Sequence, residues 1–174
     1  MANDAFRDRL IRATELFAAK GALITFDPNV RAELLGDRTI EEIAQPILRR
    51  CAYLFPGEAE LLMLGGGTSL DAAAEALLGR YPLVAIVLKR GRLGCSVYGG
   101  SGRIDVPAFE IEEVDPTGAG DCFDAGFLCG LLEGHDLAEA ARIGAAAGAL
   151  NANAFGPMEG DISRASVAAL LGRG

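Results

Sequence analysis

The apolar residues follow two patterns along the chain, one with helical periodicity and one of short continuous runs. These patterns predict helices and short strands. Between residues 5 and 20 the apolar positions recur with helical spacing, which predicts an amphipathic helix that Gly21 ends. Short continuous apolar runs, typical of buried parallel strands, occupy 22–26, 51–55 and 83–88. Further helices are predicted over 39–50, with a kink at Pro46, and over 58–64, 70–78, 119–132, 136–151 and 162–171.

A turn-rich segment adds a hairpin to this alternation. Residues 94–98 and 103–106 flank Gly99-Gly100-Ser101-Gly102, which is a hairpin signal. Strands that alternate with helices predict an α/β fold with three α/β/α layers and a mostly parallel sheet, to which the hairpin adds an antiparallel segment. Ligands of such sheets bind beyond the carboxyl ends of the strands. We therefore expect a site in the loops after Phe26, Phe55, Leu88 and Val114.

The composition narrows the class of protein. The 174 residues are 51% hydrophobic and 23% charged, which predicts one folded domain over 1–174 and excludes a disordered chain. The net charge of −8 argues against a nucleic-acid partner, because nucleic-acid binding needs a basic face. No apolar run approaches the ~18 residues of a membrane helix, and no hydrophobic block follows the charged N-terminus. We expect neither a membrane partner nor a secretory signal.

The cysteines and the single histidine argue against a metal or disulfide scaffold. Cys51, Cys95, Cys122 and Cys129 show no CxxC spacing, and His135 has no partner at metal-ligand spacing. The pattern predicts thiols that serve as small core residues in a reducing, cytoplasmic compartment.

The segment 115–121 is where the residue types suggest chemistry. Its sequence, DPTGAGD, places small residues ahead of a predicted helix, where free backbone amides and the positive end of the helix dipole bind anions. Asp121 would repel a bound phosphate unless it takes up a proton, as the base does in phosphoryl transfer to a hydroxyl. The residues alone leave a second interpretation open, in which Asp121 is a favourable first-turn acid after a tight turn.

Other motifs of phosphate and nucleophile chemistry are absent from the sequence. It contains no GxxxxGK[ST] loop and no GxSxG elbow, and the glycines at 118 and 120 lack the third glycine of a dinucleotide fingerprint. We therefore expect neither a P-loop protein, nor a dinucleotide-binding protein, nor a triad hydrolase.

The segment 115–127, DPTGAGDCFDAGF, resembles the second signature of the ribokinase-like carbohydrate kinases of the phosphofructokinase-B type. The resemblance implies that Asp121 is the catalytic base and that the amides of Gly118, Ala119 and Gly120 form the anion hole. It implies ATP and Mg2+ as cofactors, and a hydroxyl of a sugar or sugar derivative as the acceptor.

Two earlier segments are similar to the family pattern in order and spacing. Segment 26–31, FDPNVR, resembles D-P-N-x-R. Segment 55–60, FPGEAE, resembles P-N-x-x-E, with Gly57 in place of the family asparagine. The resemblance implies that Glu60 organises Mg2+ and phosphate.

Later segments add residues that the family places around the nucleotide and a cation. The resemblance assigns to the nucleotide Lys89, Gly91 and Gly94 of a strand-to-turn segment, and Ala147, Gly148 and Asn151 of a helix with small residues. It also implies that the backbone around Asp115 and Thr117 holds a monovalent cation such as K+.

Each of these residues also has a plain structural interpretation. Lys89 could be a solvated charge at a strand end, and Glu60 an ordinary surface acid on a short helix. Asp27 and Asn29 could simply form turns. The alanines of 145–149 could serve only helix packing. Glu110, Glu112 and Glu113 could belong to a solvated loop.

The length of the chain bears on what it could do. Members of the family are nearly twice as long, and the resemblance covers their C-terminal, nucleotide-binding and catalytic part. It implies that the N-terminal part, with the lid and most sugar contacts, is absent here. A sheet cut in this way exposes a strand edge, which predicts a homo-oligomer. The competing functions are a carbohydrate kinase, a non-catalytic nucleotide- or phosphate-binding module, and a packing remnant with no ligand.

Overall fold

The computed structural model describes residues 4–31, 33, 35, 38–100 and 102–172. The helices are α1 (Asp4–Ala19), α2 (Ile40–Leu48), α3 (Glu58–Gly65), α4 (Leu70–Arg80), α5 (Ala119–Leu132), α6 (Leu137–Ala152) and α7 (Arg164–Leu171). The strands are β1 (Ile24–Phe26), β2 (Cys51–Leu54), β3 (Ala85–Lys89), β4 (Cys95–Gly99) and β5 (Gly102–Val106), and a 3-10 turn spans Gly91–Leu93. The predicted elements are present with ends within two residues of the prediction, and Ser101 of the predicted turn lies outside the described residues.

The sheet combines parallel strands with a hairpin. Between β1 and β2, Ile24 pairs with Cys51, and between β2 and β3, Tyr53 pairs with Ala85, both in parallel register. The strand order is β1-β2-β3-β4-β5, and two residues separate β4 from β5, so these two strands form an antiparallel hairpin. A mixed sheet with helices on both sides confirms the predicted fold class.

Local signals explain where α1 ends and α2 begins. Gly21 follows α1 with a φ of +82°, a left-handed conformation that favours glycine and stops the helix. At the start of α2, Thr39 Oγ1 accepts a hydrogen bond from the Glu42 amide at 3.2 Å, and Glu42 Oε2 accepts one from the Thr39 amide at 2.8 Å. This capping box satisfies two backbone donors. α2 continues through Pro46, where the kink stays a prediction.

The chain packs as two compact units. Unit 1 comprises Met1–Leu88 and Tyr98–Gly102, and unit 2 comprises Lys89–Val97 and Arg103–Gly174. The core of unit 1 is apolar and includes Leu48, Leu54, Leu61, Leu77, Ile86 and Leu88. Within the same unit, the Tyr98 hydroxyl donates to Asp71 Oδ1 at 2.8 Å.

In unit 2, glycines allow α5 and α6 to pack closely. A β-carbon at Gly126 would lie 2.9 Å from Cβ of Ala147, and one at Gly144 would lie 2.8 Å from the carbonyl oxygen of Phe123. Phe127 on α5 is fully buried. Any side chain at these glycines would push the helices apart. The glycines therefore allow the close packing of α5 on α6.

The helices of the described residues are short. No single helix there is long and apolar enough to cross a bilayer, and α3 with α4 meets the limits of length and composition only as a bent pair. Several apolar side chains of that pair, including Leu61, Leu64 and Leu77, belong to the core of unit 1.

Candidate active site

The predicted anion site lies where α5 begins. α5 starts at Ala119, as predicted, and Gly118 before it has a φ of +80°, which favours glycine. A β-carbon at Gly118 would also lie 3.3 Å from Cα of Pro157. Asp121 stands in the first turn of α5 and is exposed. The N-terminus of α5 therefore presents its positive helix end next to a solvent-accessible carboxylate.

Hydrogen bonds hold the loop before α5 in place. Asp115 Oδ1 accepts from the Thr117 amide at 2.9 Å, and Oδ2 accepts from the Gly156 amide at 3.1 Å. Hydrogen bonds from Thr117, followed by that from Gly156, lower the pKa of Asp115. From α6, the buried Asn151 donates through Nδ2 to the Thr117 carbonyl at 2.8 Å. The loop is thus tied to two other segments of unit 2.

One amide of the predicted anion hole already has an acceptor. Ala119 N donates to Pro116 O at 3.1 Å. Gly118 O accepts from Cys122 N at 2.9 Å, which begins the hydrogen-bond ladder of α5. An anion at this helix end would therefore depend on the amides of Gly118 and Gly120 rather than on that of Ala119.

A cavity of about 670 Å³ opens beside this helix end, within unit 2. Six residues that the sequence assigns to the anion hole or the nucleotide contribute to its wall: Lys89, Gly91, Gly94, Ala119, Gly120 and Gly148. Much of the remaining wall is apolar and comes from Phe109, Ile111, Phe123, Ala145, Ala149 and Ala152. An apolar slot that meets a helix N-terminus suits a flat aromatic group joined to an anion.

Among the described residues, some of those predicted for the site do not line the cavity. Asp121 and Thr117 are exposed. Asn151 is buried and contacts the loop through its hydrogen bond to the Thr117 carbonyl. Ala147 is buried against Gly126, so the helix-packing interpretation describes Ala147. Gly148 combines both roles, because it lines the cavity and a β-carbon there would lie 3.0 Å from the Ala119 carbonyl oxygen.

Lys89 has an acidic partner that sequence reasoning missed. Its Nζ lies 3.3 Å from both Oδ1 and Oδ2 of Asp124 on α5. The two side chains are 19% and 16% exposed, so Lys89 is not the solvated strand-end charge of the alternative interpretation. Asp124 follows Asp121 by three positions, which places both on one face of α5, but this spacing does not indicate a partner on a strand 35 positions earlier.

The acidic loop ahead of α5 is exposed and carries an ion pair. Glu113 accepts two hydrogen bonds from Arg92, at 3.2 Å from Nε and 3.1 Å from Nη2. The hydrogen bond to this carboxylate, and then its charge, raise the pKa of Arg92. Glu110 and Glu113 also line the cavity. Glu110, Glu112 and Glu113 are all exposed, as the solvated-loop interpretation predicts, and Glu113 in addition holds the ion pair with Arg92.

In unit 1, Glu60 joins the loops that follow β1 and β2. Its Oε1 accepts from the Val30 amide at 2.6 Å, and its Oε2 accepts from the Gly57 amide at 2.8 Å. Glu60 is therefore not an ordinary surface acid. In the first of these loops, Asp27 Oδ1 accepts from the Asn29 amide at 3.1 Å, as the turn-former interpretation predicts.

The described residues contain no group of three or more His, Cys, Asp or Glu side chains placed to hold a metal ion. Both oxygens of Glu60 and both oxygens of Asp115 already accept hydrogen bonds from backbone amides. These carboxylates do not form a protein cage for Mg2+. They fit the ordinary case in which Mg2+ keeps several waters and is bound largely through substrate phosphates.

Comparison with known proteins gives the same family as the motifs. Residues 4–163 match the sequence model described as pfkB family carbohydrate kinase. A cytidine kinase of Thermococcus kodakarensis is 38% identical over 128 residues, which are 72% of this chain and 44% of that protein. The chain spans about half the length of the curated relatives it matches.

Two solved structures are similar across almost the whole chain. An E. coli protein assigned as a ribokinase II, solved with ATP and Mg2+, superposes with a TM-score of 0.89 at 32% identity, covering 99% of this chain and 56% of that one. A double mutant of the Vibrio cholerae O395 fructokinase, solved with fructose, ADP and potassium, has a TM-score of 0.86 at 25% identity, covering 98% and 57%. Together with the family match over residues 4–163, they establish that this chain belongs to the pfkB family of carbohydrate kinases.

Proposed function

We propose that this chain carries the ATP-binding and catalytic part of a kinase that phosphorylates a hydroxyl of a sugar or sugar derivative. The observation that supports this most is the cavity of about 670 Å³ beside the N-terminus of α5, which brings an apolar wall, Lys89 and two residues of the DPTGAGD segment, Ala119 and Gly120, together in one unit. The base of ATP would occupy the apolar part, and its phosphates would meet the helix end. The similar E. coli structure holds ATP and Mg2+.

In the proposed reaction, Asp121 acts as the general base. As the acceptor oxygen bonds to the γ-phosphorus, the bond to the bridging oxygen of ADP breaks, and the hydroxyl proton passes to Asp121. The amides of Gly118 and Gly120 and the α5 dipole would stabilise the negative charge on the transferring group. The exposure of Asp121 leaves its carboxylate accessible to an acceptor.

Mg2+ would enter with ATP and neutralise phosphate charge. In unit 1, Glu60 remains our proposal for a residue that organises Mg2+, and the amides of Val30 and Gly57 hold its carboxylate in place. The backbone around Asp115 and Thr117 remains our proposal for a monovalent cation, and the similar fructokinase was solved with potassium.

The assignment of Asp121 is tested by Asp121→Asn. We expect phosphate transfer from ATP to a panel of sugars and nucleosides to fall by a factor of 10² or more, roughly the contribution of a general base, while ATP binding stays within about twofold. Asp136→Asn is the matched control, because Asp136 caps α6 outside the cavity and asparagine caps a helix equally well. Transfer by Asp121→Asn at more than a tenth of the unmodified rate would contradict the base assignment.

A second candidate function is a nucleotide-binding module without transfer activity. It is favoured by the fact that the cavity lies within one unit of a chain that spans about half the length of its relatives. Saturable ATP–Mg2+ binding with no transfer to any acceptor of the panel would support this module, and measurable transfer would exclude it.

A further inference from the structure

We propose that Asp124 is a positioning residue for nucleotide binding, which holds the Lys89 ammonium at the phosphate end of the cavity. The inference rests on the proposed function, since it concerns how the same cavity takes up ATP. It adds a residue that stands outside the DPTGAGD segment and does not line the cavity among the residues described.

The geometry of the ion pair fixes the position of the ammonium. Lys89 is the last residue of β3, and Asp124 lies in the second turn of α5. Nζ is equidistant from the two carboxylate oxygens, at 3.3 Å from each. Because the side chains are only 19% and 16% exposed, the pair is screened less by solvent than a surface ion pair.

The ammonium is directed towards the first turn of α5. A β-carbon at Gly120 would lie 3.6 Å from Lys89 Nζ, so the charge stands beside the backbone whose amide we assign to the anion hole. Lys89 and Gly120 both line the cavity. A phosphate bound at this helix end would therefore meet backbone donors and a lysine charge together.

A lysine at this place needs a compensating carboxylate. The N-terminus of a helix carries a positive partial charge, which disfavours a cation next to it. Partial burial adds a desolvation cost to the same ammonium. Asp124, in the second turn of α5, offsets both effects because its carboxylate oxygens lie 3.3 Å from the ammonium. Loss of the Asp124 charge should weaken the hold on the Lys89 ammonium at this position.

The test is a double-mutant cycle on ATP–Mg2+ binding, measured by calorimetry on the full chain. We expect Asp124→Asn and Lys89→Met each to weaken binding roughly tenfold, because each removes a charge-assisted interaction. We expect the double variant to bind no more weakly than Lys89→Met, because Asp124 acts through Lys89. Asp124→Glu, which keeps the charge, should recover part of the affinity.

Two controls separate positioning from a general effect on folding. Glu41→Gln breaks the exposed ion pair with Arg80 in unit 1 and should leave ATP binding unchanged. Thermal unfolding without nucleotide shows whether each variant is folded, and a merely structural role of Asp124 would lower the unfolding temperature without the non-additive binding pattern.

The outcomes distinguish this inference from the proposed function. If the unmodified chain binds ATP and Asp124→Asn binds it equally well, the inference is wrong and the proposed function stands. Additive losses in the double variant would also overturn it, because Asp124 would then act independently of Lys89. If the unmodified chain binds no ATP, both the inference and the proposed function are wrong.

Discussion

The four thiols differ in their surroundings, and this difference sets their reactivity. Cys51, Cys95 and Cys122 are buried, as predicted for core residues, whereas Cys129 on α5 is exposed. Burial raises the pKa of Cys51 to about 12, and burial together with the charge of Asp105 raises that of Cys95 to about 12. Since the thiolate is the reactive form, these two groups are protonated and inert near neutral pH.

We therefore expect a thiol reagent at pH 8 to modify one thiol per chain rapidly. The measurement is the time course of modification, with the modified residue identified by mass spectrometry. Cys129→Ser should remove the fast phase, because no described cysteine other than Cys129 is exposed. Rapid labelling of Cys51 or Cys95 in the folded chain would contradict the burial of those side chains.

Sequence reasoning located the start of α5 but not the long-range partners of the predicted site residues. The start of α5 at Ala119 was predictable because local signals mark it, whereas the roles of the glycines and Asp121 stay predictions. The bond from Asn151 to Thr117 spans 34 positions and that from Lys89 to Asp124 spans 35. Pairings at such separations depend on how the elements pack, which periodicity does not encode.

Among the elements, the hydrophobic pattern predicted the helices and strands, because helices and strands differ in periodicity and in the residues that mark their ends. The role of Glu60 was only partly predictable. Its position three residues after Gly57 suits a carboxylate that accepts from the Gly57 amide at the start of α3, whereas its bond to Val30 connects two loops 30 positions apart. The replacement of the family asparagine by Gly57 leaves this backbone connection in place.

The hydrophobic periodicity also did not predict the close packing of α5 on α6. This packing can be tested by substitution of a glycine. Gly126→Ala should lower the free energy of unfolding by about 1–3 kcal/mol, because its β-carbon would lie 2.9 Å from Cβ of Ala147. Gly79→Ala on α4 is the control, since nothing lies within 4 Å of its new β-carbon and alanine favours a helix. Denaturant unfolding measures both variants, and equal stability of the two would contradict the packing described for α5 and α6.

At the scale of the whole molecule, the two units contribute different features. Unit 2 contains the cavity and the start of α5, so the nucleotide hypothesis can be tested on residues of one unit. Unit 1 exposes large apolar side chains on and after α1, among them Phe6, Leu16, Phe17 and Leu23. This surface agrees with the reasoning behind the predicted homo-oligomer, which stays a prediction, as does the cytoplasmic location.

Calorimetric titration of the chain with ATP–Mg2+ tests whether the cavity of unit 2 binds ATP. We predict saturable binding of one nucleotide per chain. Ala149→Leu, which fills the apolar wall, should weaken it at least about tenfold, whereas Ala169→Leu on the exposed face of α7 should not change it. Absence of binding by the unmodified chain, or equal affinity of Ala149→Leu and the unmodified chain, would contradict the account.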